Sequence, residues 1–269
     1  YGKMKLAPIS WGTDKDTIKK LIETNPKNKA LKALKKHRLV AKSHGTYIKP
    51  LLFGANRELI KAKKESVVYP DGSVHSSYLL HGTPTSRLAC RDDNRQNIPR
   101  DPRLRGQAKA REGYGILECD YSQAELRSLA ALSKCDALME IFQKGLDLHN
   151  ELTTFLFGAN WTREDKLKAK TVNFGIPYGR EALSMAEAFD VSVDEAQSWI
   201  DGWAKRFPGA WEFIQTCRMA PIRGQTITTC FGNKKRPGVV AREKVRDLQN
   251  ESANFPHQSI ASNLTIRAG

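Results

Sequence analysis

Two short stretches combine residue types and spacings able to do chemistry. In "KLKAKTVNFGIPYG", residues 166–179, Lys166, Lys170, Phe174 and Tyr178 recur every four residues. At 3.6 residues per turn they form a slowly drifting stripe along one helix face. Two ammonium groups followed by two aromatic rings can bind phosphate at one end and stack a base at the other. An amphipathic helix whose aromatic pair faces the core fits the same spacing. Gly175 lets another group approach the backbone, while Pro177 removes a donor and crowds the Asn173 carbonyl. The second stretch, "ILECDYSQAELRSLAALS", spans residues 116–133. It sets Asp120 where a short apolar strand (Ile116, Leu117, Cys119) gives way to a helix with Leu126, Leu129, Ala130 and Leu132 at helical spacing. Taken alone, that junction suggests a cap. Ser122 or Asp120 would be the N-cap, with Glu125 completing a Ser-x-x-Glu capping box.

The elements that position these residues follow from pattern and punctuation. Residues 14–24 and 29–64 read as helices, with Leu31, Leu34 and Ala41 on one face and breaks at Gly45 and Pro50. A hairpin is expected around Asp71-Gly72. Residues 81–111 form a polar loop, longer than a structural connection needs. A strand at 116–120 is followed by mostly helix over 123–220, a strand at 225–231 and a helix at 241–264. The fold class is therefore α+β: a mixed sheet with helices around it.

The chain has 269 residues and a net charge of +15. That charge is unevenly placed. Residues 1–64 hold 17 Lys and Arg against 4 acids, a net +13, whereas the rest holds 27 against 25, a net +2. Such a basic segment suits an arm lying along phosphates, a solvated lysine-rich helix or an acidic membrane surface. No run of about 18 apolar residues exists, so no membrane span is expected. Five scattered cysteines with no CxxC pair point to reduced thiols in a cytoplasmic setting and away from a zinc module. His37 and His44, on a lysine-rich stretch, read as surface residues. The N-terminus carries no apolar secretory core and no initiator Met, as expected of a fragment or processed product.

Four strings taken in order are more specific. "TPTSRLACRDDNRQNIPR" (83–100), "DYSQAELR" (120–127), the 166–179 stretch and "NFPHQS" (254–259) together resemble the family A DNA polymerases, bacterial DNA polymerase I and its phage relatives. The resemblance runs from about residue 14 to the end. It implies a right hand: residues 1–64 a partial thumb, 65–134 the first part of the palm with its antiparallel sheet, 135–240 helical fingers with a nucleotide-binding helix at about 163–177, and 241–269 a palm return helix. The implied reaction is template-directed addition of deoxynucleotides to a primer 3′ end by two-metal phosphoryl transfer.

Carried over by position, Asp120 is the bridging ligand of two Mg²⁺ ions, with Mn²⁺ a substitute, and the Tyr121 carbonyl is its neighbour. Asp120 and Lys170 carry the catalytic roles. Gln123, Glu125, His149, Lys166, Lys170, Phe174 and Tyr178 bind the incoming nucleotide. Glu125, beside Tyr178, acts as a steric gate against a ribose 2′-hydroxyl. Without the resemblance, His149 reads as an exposed histidine at a helix start. Arg87 and Gln258, with Gln96, Asn97 and Asn254, contact the primer–template minor groove.

Three departures accompany the resemblance. Lys166 stands where the family usually has Arg, a point charge replacing a bidentate fork. Ser86 stands where the family usually has Gly. No His-Asp-Glu string, the family's second metal-binding motif, occurs up to Gly269. The expectation is thus an incomplete chain, inactive by itself, whose missing acid lies in a further C-terminal segment or on a second polypeptide. The rival from another class is a non-catalytic primer–template clamp. A single-subunit RNA polymerase is the enzymatic rival, which Glu125 disfavours.

Overall fold

The side-chain oxygen of Asn28 accepts the backbone N–H groups of Ala30 and Leu31 and starts the longer basic helix. The structure, a computed structural model, describes residues 15–49, 51, 68–69, 71–80, 82–91, 94–99 and 101–268. The chain divides into two compact units: residues 1–79 with 90–117, and residues 80–89 with 118–269.

In the first unit, α1 (Lys15–Thr24) and α2 (Lys29–Ser43) pack together, with Ile18 and Leu31 buried. The helix expected over 29–64 ends as α-helix at Ser43 and widens into a π-helical turn, His44–Ile48, containing Gly45. Pro50 and residues 52–64 lie outside the described residues. His37 and His44 are exposed, as expected of surface residues. The hairpin turn is present: Val68 bridges Val74 antiparallel, and Gly72 takes φ +80°, a conformation glycine adopts without steric cost. Strands β1 (Ser77–Leu79) and β2 (Ala89–Arg91) form a two-stranded sheet. The long loop also holds the short helix α3 (Pro102–Arg105), which Asp101 caps by accepting the N–H of Arg103 at 2.9 Å.

The second unit is a helical body. Its helices are α4 (Ala124–Ser133), α5 (Asp136–Gln143), α6 (Leu148–Phe157), α7 (Arg163–Gly175), α8 (Ala182–Phe189), α9 (Val193–Arg206), α10 (Pro208–Met219) and α11 (Val245–Ala268). A small antiparallel hairpin, β3 (Ile227–Thr228) with β4 (Lys234–Lys235), precedes α11, with Ile227 opposite Lys235. Leu129, Leu138, Leu152, Val172, Met185 and Trp203 meet in one core. Each large side chain buried there stabilises by about 1.5–3 kcal/mol. Helices α4 and α10 both pack on α11, and α6 packs on α7. The helical prediction for 123–220 therefore holds.

The strand expected at 116–120 does not form. Residues 114–121 carry no ladder, and Ile116 and Leu117 are 69% and 88% exposed. An apolar run becomes a strand only where a neighbouring strand takes its N–H and C=O groups. No described strand pairs with this one.

Candidate functional site

Ser86 opens the site. Its N–H closes a turn onto the Thr83 carbonyl at 3.1 Å, and its φ of +59° is the left-handed conformation that the expected glycine would adopt freely. Here a serine holds it through two latches. Ser86 Oγ accepts from Asn233 Nδ2 at 2.5 Å, and its carbonyl accepts from Ser262 Oγ of α11 at 2.7 Å. Thr83 Oγ1 also donates to the Arg87 carbonyl at 3.0 Å. The turn presents Arg87, whose guanidinium pairs with the Glu125 carboxylate. Tyr178 donates its hydroxyl hydrogen to the same carboxylate, and Gln258 Nε2 donates to the Tyr178 oxygen at 3.0 Å. Four separate segments thus converge: the 83–87 turn, the first turn of α4, the turn after α7, and α11.

This geometry corrects the local cap reading. Glu125 is committed to Arg87 and Tyr178, so no Ser122–Glu125 capping box forms. The residue preceding α4 is Gln123, in left-handed conformation with no side-chain cap bond. Capping boxes and caps lie elsewhere: Thr162 with Asp165 starts α7, and Asp147 starts α6. Tyr178 is not on the helix of Lys166, Lys170 and Phe174. The helix ends at Gly175, and Tyr178 sits in the following turn. Gly175 answers packing, because a Cβ there would lie 3.0 Å from Met185 Cε and 3.1 Å from Arg180 Cβ. Gly179 combines φ +71° with a Cβ position only 2.1 Å from Asn250 Oδ1.

A second cluster lies along α6 and α7. His149 occupies the first turn of α6, but it is buried at 8% exposure rather than exposed. Its ring lies 5.2 Å from that of Phe174. Burial pushes the His149 pKa down; Asp147 opposes this, and Lys170 and Lys166 reinforce it. Lys170, Phe174, Leu167 and Arg180 line a cavity of about 440 Å³. Lys166 is not a free cation: it pairs with Asp147 Oδ2 at 3.3 Å. Burial disfavours the Asp147 carboxylate, yet the N–H groups of Asn150 and His149 and the Lys166 ammonium hold its pKa below the usual value.

Asp120 and Tyr121 are exposed. Tyr121 and Ser122 edge a groove of about 850 Å³ between α4 and α11, lined also by Arg127, Leu264 and Arg267. Gln123 Oε1 and Asn254 Oδ1 are buried without protein partners. Gln96 and Asn97 lie in a 3₁₀ turn of the first unit, where the Asn97 carbonyl accepts from Tyr47 at 2.7 Å. The sequence reading did not single out Asp147, Asn233, His257 or Trp203. His257 is almost fully buried with no partner for either ring nitrogen, and burial first, then Arg87, lowers its pKa to about 4. Nothing in the linear pattern marks it beyond its place beside Gln258.

The family model for DNA polymerase family A matches residues 2–268. The chain belongs to DNA polymerase family A. It is 32% identical over 228 residues to DNA polymerase I of Helicobacter pylori, covering 83% of this chain and 24% of that one. It is 34% identical over 239 residues to the thermostable DNA polymerase I of Thermus aquaticus, covering 85% and 27%. The chain therefore spans about a quarter of the length of these curated family A relatives. Among solved structures it resembles the POL domain of Pol1 from M. smegmatis, described in complex with DNA primer-template and dNTP. That match has a TM-score of 0.78 and 25% identity and covers 98% of this chain and 46% of the other. The right-hand α+β polymerase fold implied by the resemblance is thereby borne out, although the described strands form two separate two-stranded sheets and not the one mixed sheet expected. Polymerases of family A are metal-dependent, generally on Mg²⁺. Among the described residues, no helix is long and apolar enough to cross a membrane, and no group of three His, Cys, Asp or Glu gathers as a metal site.

Proposed function

We propose that this chain supplies nucleotide selection and part of the catalytic centre of a template-directed DNA polymerase, extending a primer 3′ end with deoxynucleotides. The convergence of Arg87, Glu125, Tyr178 and Gln258 carries this reading. A carboxylate clamped from two sides is a rigid gate, and a rigid gate beside a nucleotide discriminates by shape, excluding a 2′-hydroxyl. Glu125 plays that part, with Tyr178 holding it. Arg87 keeps guanidinium N–H donors beyond those meeting Glu125, and Gln258 keeps the second N–H of its amide. Both can therefore contact minor-groove acceptors, which every base pair presents, without releasing the gate. Gln96, Asn97 and Asn254 are further primer–template contacts on this reading.

Lys170 and His149 receive the triphosphate, with Lys166 and Gln123 beside them, and Phe174 stacks on the base or sugar. The Lys166–Asp147 pair makes Lys166 the weaker phosphate contact, because its charge is already partly met. Residues 1–64 act as a partial thumb, 65–134 as the first part of the palm, 135–240 as fingers and 241–269 as the palm return. The Asp120 carboxylate and the Tyr121 carbonyl are hard oxygen donors, exposed and adjacent, and by that chemistry fit Mg²⁺. When bound, the ion neutralises charge developing on the triphosphate. A second acid, from another segment or polypeptide, completes the pair of ions.

Primer extension tests the reading. Combined with the segment or polypeptide that supplies the second acid, the protein with Mg²⁺, primer–template and deoxynucleotides extends the primer, and Asp120→Ala abolishes extension while primer–template binding persists. Salt-sensitive DNA binding with no extension and no effect of deoxynucleotides on it overturns the reading in favour of a clamp.

A further inference from the structure

The interior of the second unit contains an ordered chain of three side chains whose hydrogen-bonding roles leave one solution. Asn173, on α7, is fully buried. Trp203 Nε1 of α9 donates to Asn173 Oδ1 at 3.0 Å. On the other side of the amide, Asn173 Nδ2 lies 3.1 Å from His149 Nδ1. An indole N–H can only donate, so the amide oxygen must face Trp203 and the amide nitrogen must face the histidine. An amide NH₂ can also only donate, so His149 Nδ1 must offer its lone pair. A neutral imidazole carries one proton, which is then on Nε2.

We infer that Trp203 and Asn173 act as positioning residues that lock His149 in its neutral Nε2–H tautomer. The backbone that carries the ring is fixed as well: Thr153 Oγ1 donates to the His149 backbone carbonyl at 2.5 Å, and the His149 backbone N–H donates to Asp147 Oδ1 at 2.8 Å. A second proton on Nδ1 would point at the Asn173 NH₂, donor against donor, and the lock therefore resists imidazolium formation. The charged groups facing the ring are Asp147 from the start of α6 and Lys166 and Lys170 from α7. Burial and the two lysines favour the neutral ring, and Asp147 alone favours the charged one.

The consequence for chemistry rests on the proposed nucleotide-binding role. His149 then meets a phosphate oxygen as a neutral, pre-oriented donor, and Lys170 alone of the two supplies positive charge. Fixing the donor tautomer beforehand removes an ordering cost from nucleotide binding.

The lock is tested without nucleotide, by nitrogen NMR of ring-labelled histidine in the protein, with His149 assigned by comparison with His149→Gln. The expected wild-type ring has an unprotonated Nδ1 and a protonated Nε2 throughout neutral pH. Asn173→Asp, nearly isosteric, replaces the NH₂ with a carboxylate oxygen that accepts from Nδ1–H. It should move the proton to Nδ1 and bring the ring's titration into the neutral range. Trp203→Phe releases the amide and should yield mixed tautomers. A wild-type ring protonated on Nδ1 overturns the inference, as does an Asn173→Asp ring indistinguishable from wild type. Deoxynucleotide affinity on primer–template is the separate arm: Asn173→Asp should make it pH-dependent, by about tenfold per unit of pKa shift. If the tautomers behave as described but His149→Gln leaves nucleotide affinity unchanged, the lock stands and the phosphate role falls.

Discussion

Asp120 and Glu125 are five residues apart, yet the protein builds their surroundings in opposite ways. Glu125 is held by Arg87 and Tyr178, and Tyr178 in turn by Gln258, so that one carboxylate helps tie together segments spread from residue 87 to residue 258. Asp120 stands on exposed, ladder-free backbone, preceded by two apolar side chains left in solvent. A selecting group gains from rigidity supplied by the helical core. Asp120 has no ladder partner among the described residues. Within one unit, the proposed gate carboxylate is thus preorganised by its partners, whereas the proposed metal-binding acid stands exposed on backbone without a ladder.

The largest contrast should appear between activity and stability. Asp120→Ala is expected to abolish primer extension while changing unfolding free energy by no more than about 0.5 kcal/mol, as exposed sites do. Leu129→Ala, at a fully buried position of α4, should instead cost about 2–5 kcal/mol in chemical denaturation. A large stability loss on Asp120→Ala would show that the acid is braced after all and erase the contrast.

Acid should probe the clamped region next. His257, edge-on to Tyr178, has an ordinary pKa of 6.5 and a folded one of about 4. The folded state therefore binds fewer protons than the unfolded one. Its full stability is present above about pH 6.5 and falls as pH drops from there towards 4, by a few kcal/mol at most. The smaller depression at His149 runs the same way. Urea midpoints between neutral pH and about pH 4.5 should decline less in His257→Phe than in wild type. Parallel declines would remove His257 as the acid-sensitive point.

The smallest expected effects concern the Ser86 turn. Ser86→Ala keeps the left-handed strain and loses the Asn233 latch, a cost of about 1–2 kcal/mol. Ser86→Gly loses the same latch but sheds the strain, so it should be the milder variant by about 1 kcal/mol. Denaturant titration of both variants decides it. Equal losses would mean the turn is set by Ser262 and Thr83 alone.

Much of this protein was legible in the chain itself. Helical periodicity located α4 to α10, the Asp-Gly pair located the hairpin turn, and four ordered strings identified the family. Those features are local: they depend on spacing, turn chemistry and side-chain type within a few residues. Strand formation at 116–120 was misjudged because a ladder requires a partner, which an apolar run alone cannot reveal. The cap reading of Ser122 failed for a related reason. A carboxylate's choice between its own helix N-terminus and a distant Arg87 is made by whichever partners packing delivers. The sequence alone therefore determined which residues are present and where most of the helices lie. The tertiary structure decided which donor faces which acceptor (Arg87 on Glu125, Asn173 on His149, Asn233 on Ser86), because hydrogen bonds act over about 3 Å and only folding sets distances between segments on that scale.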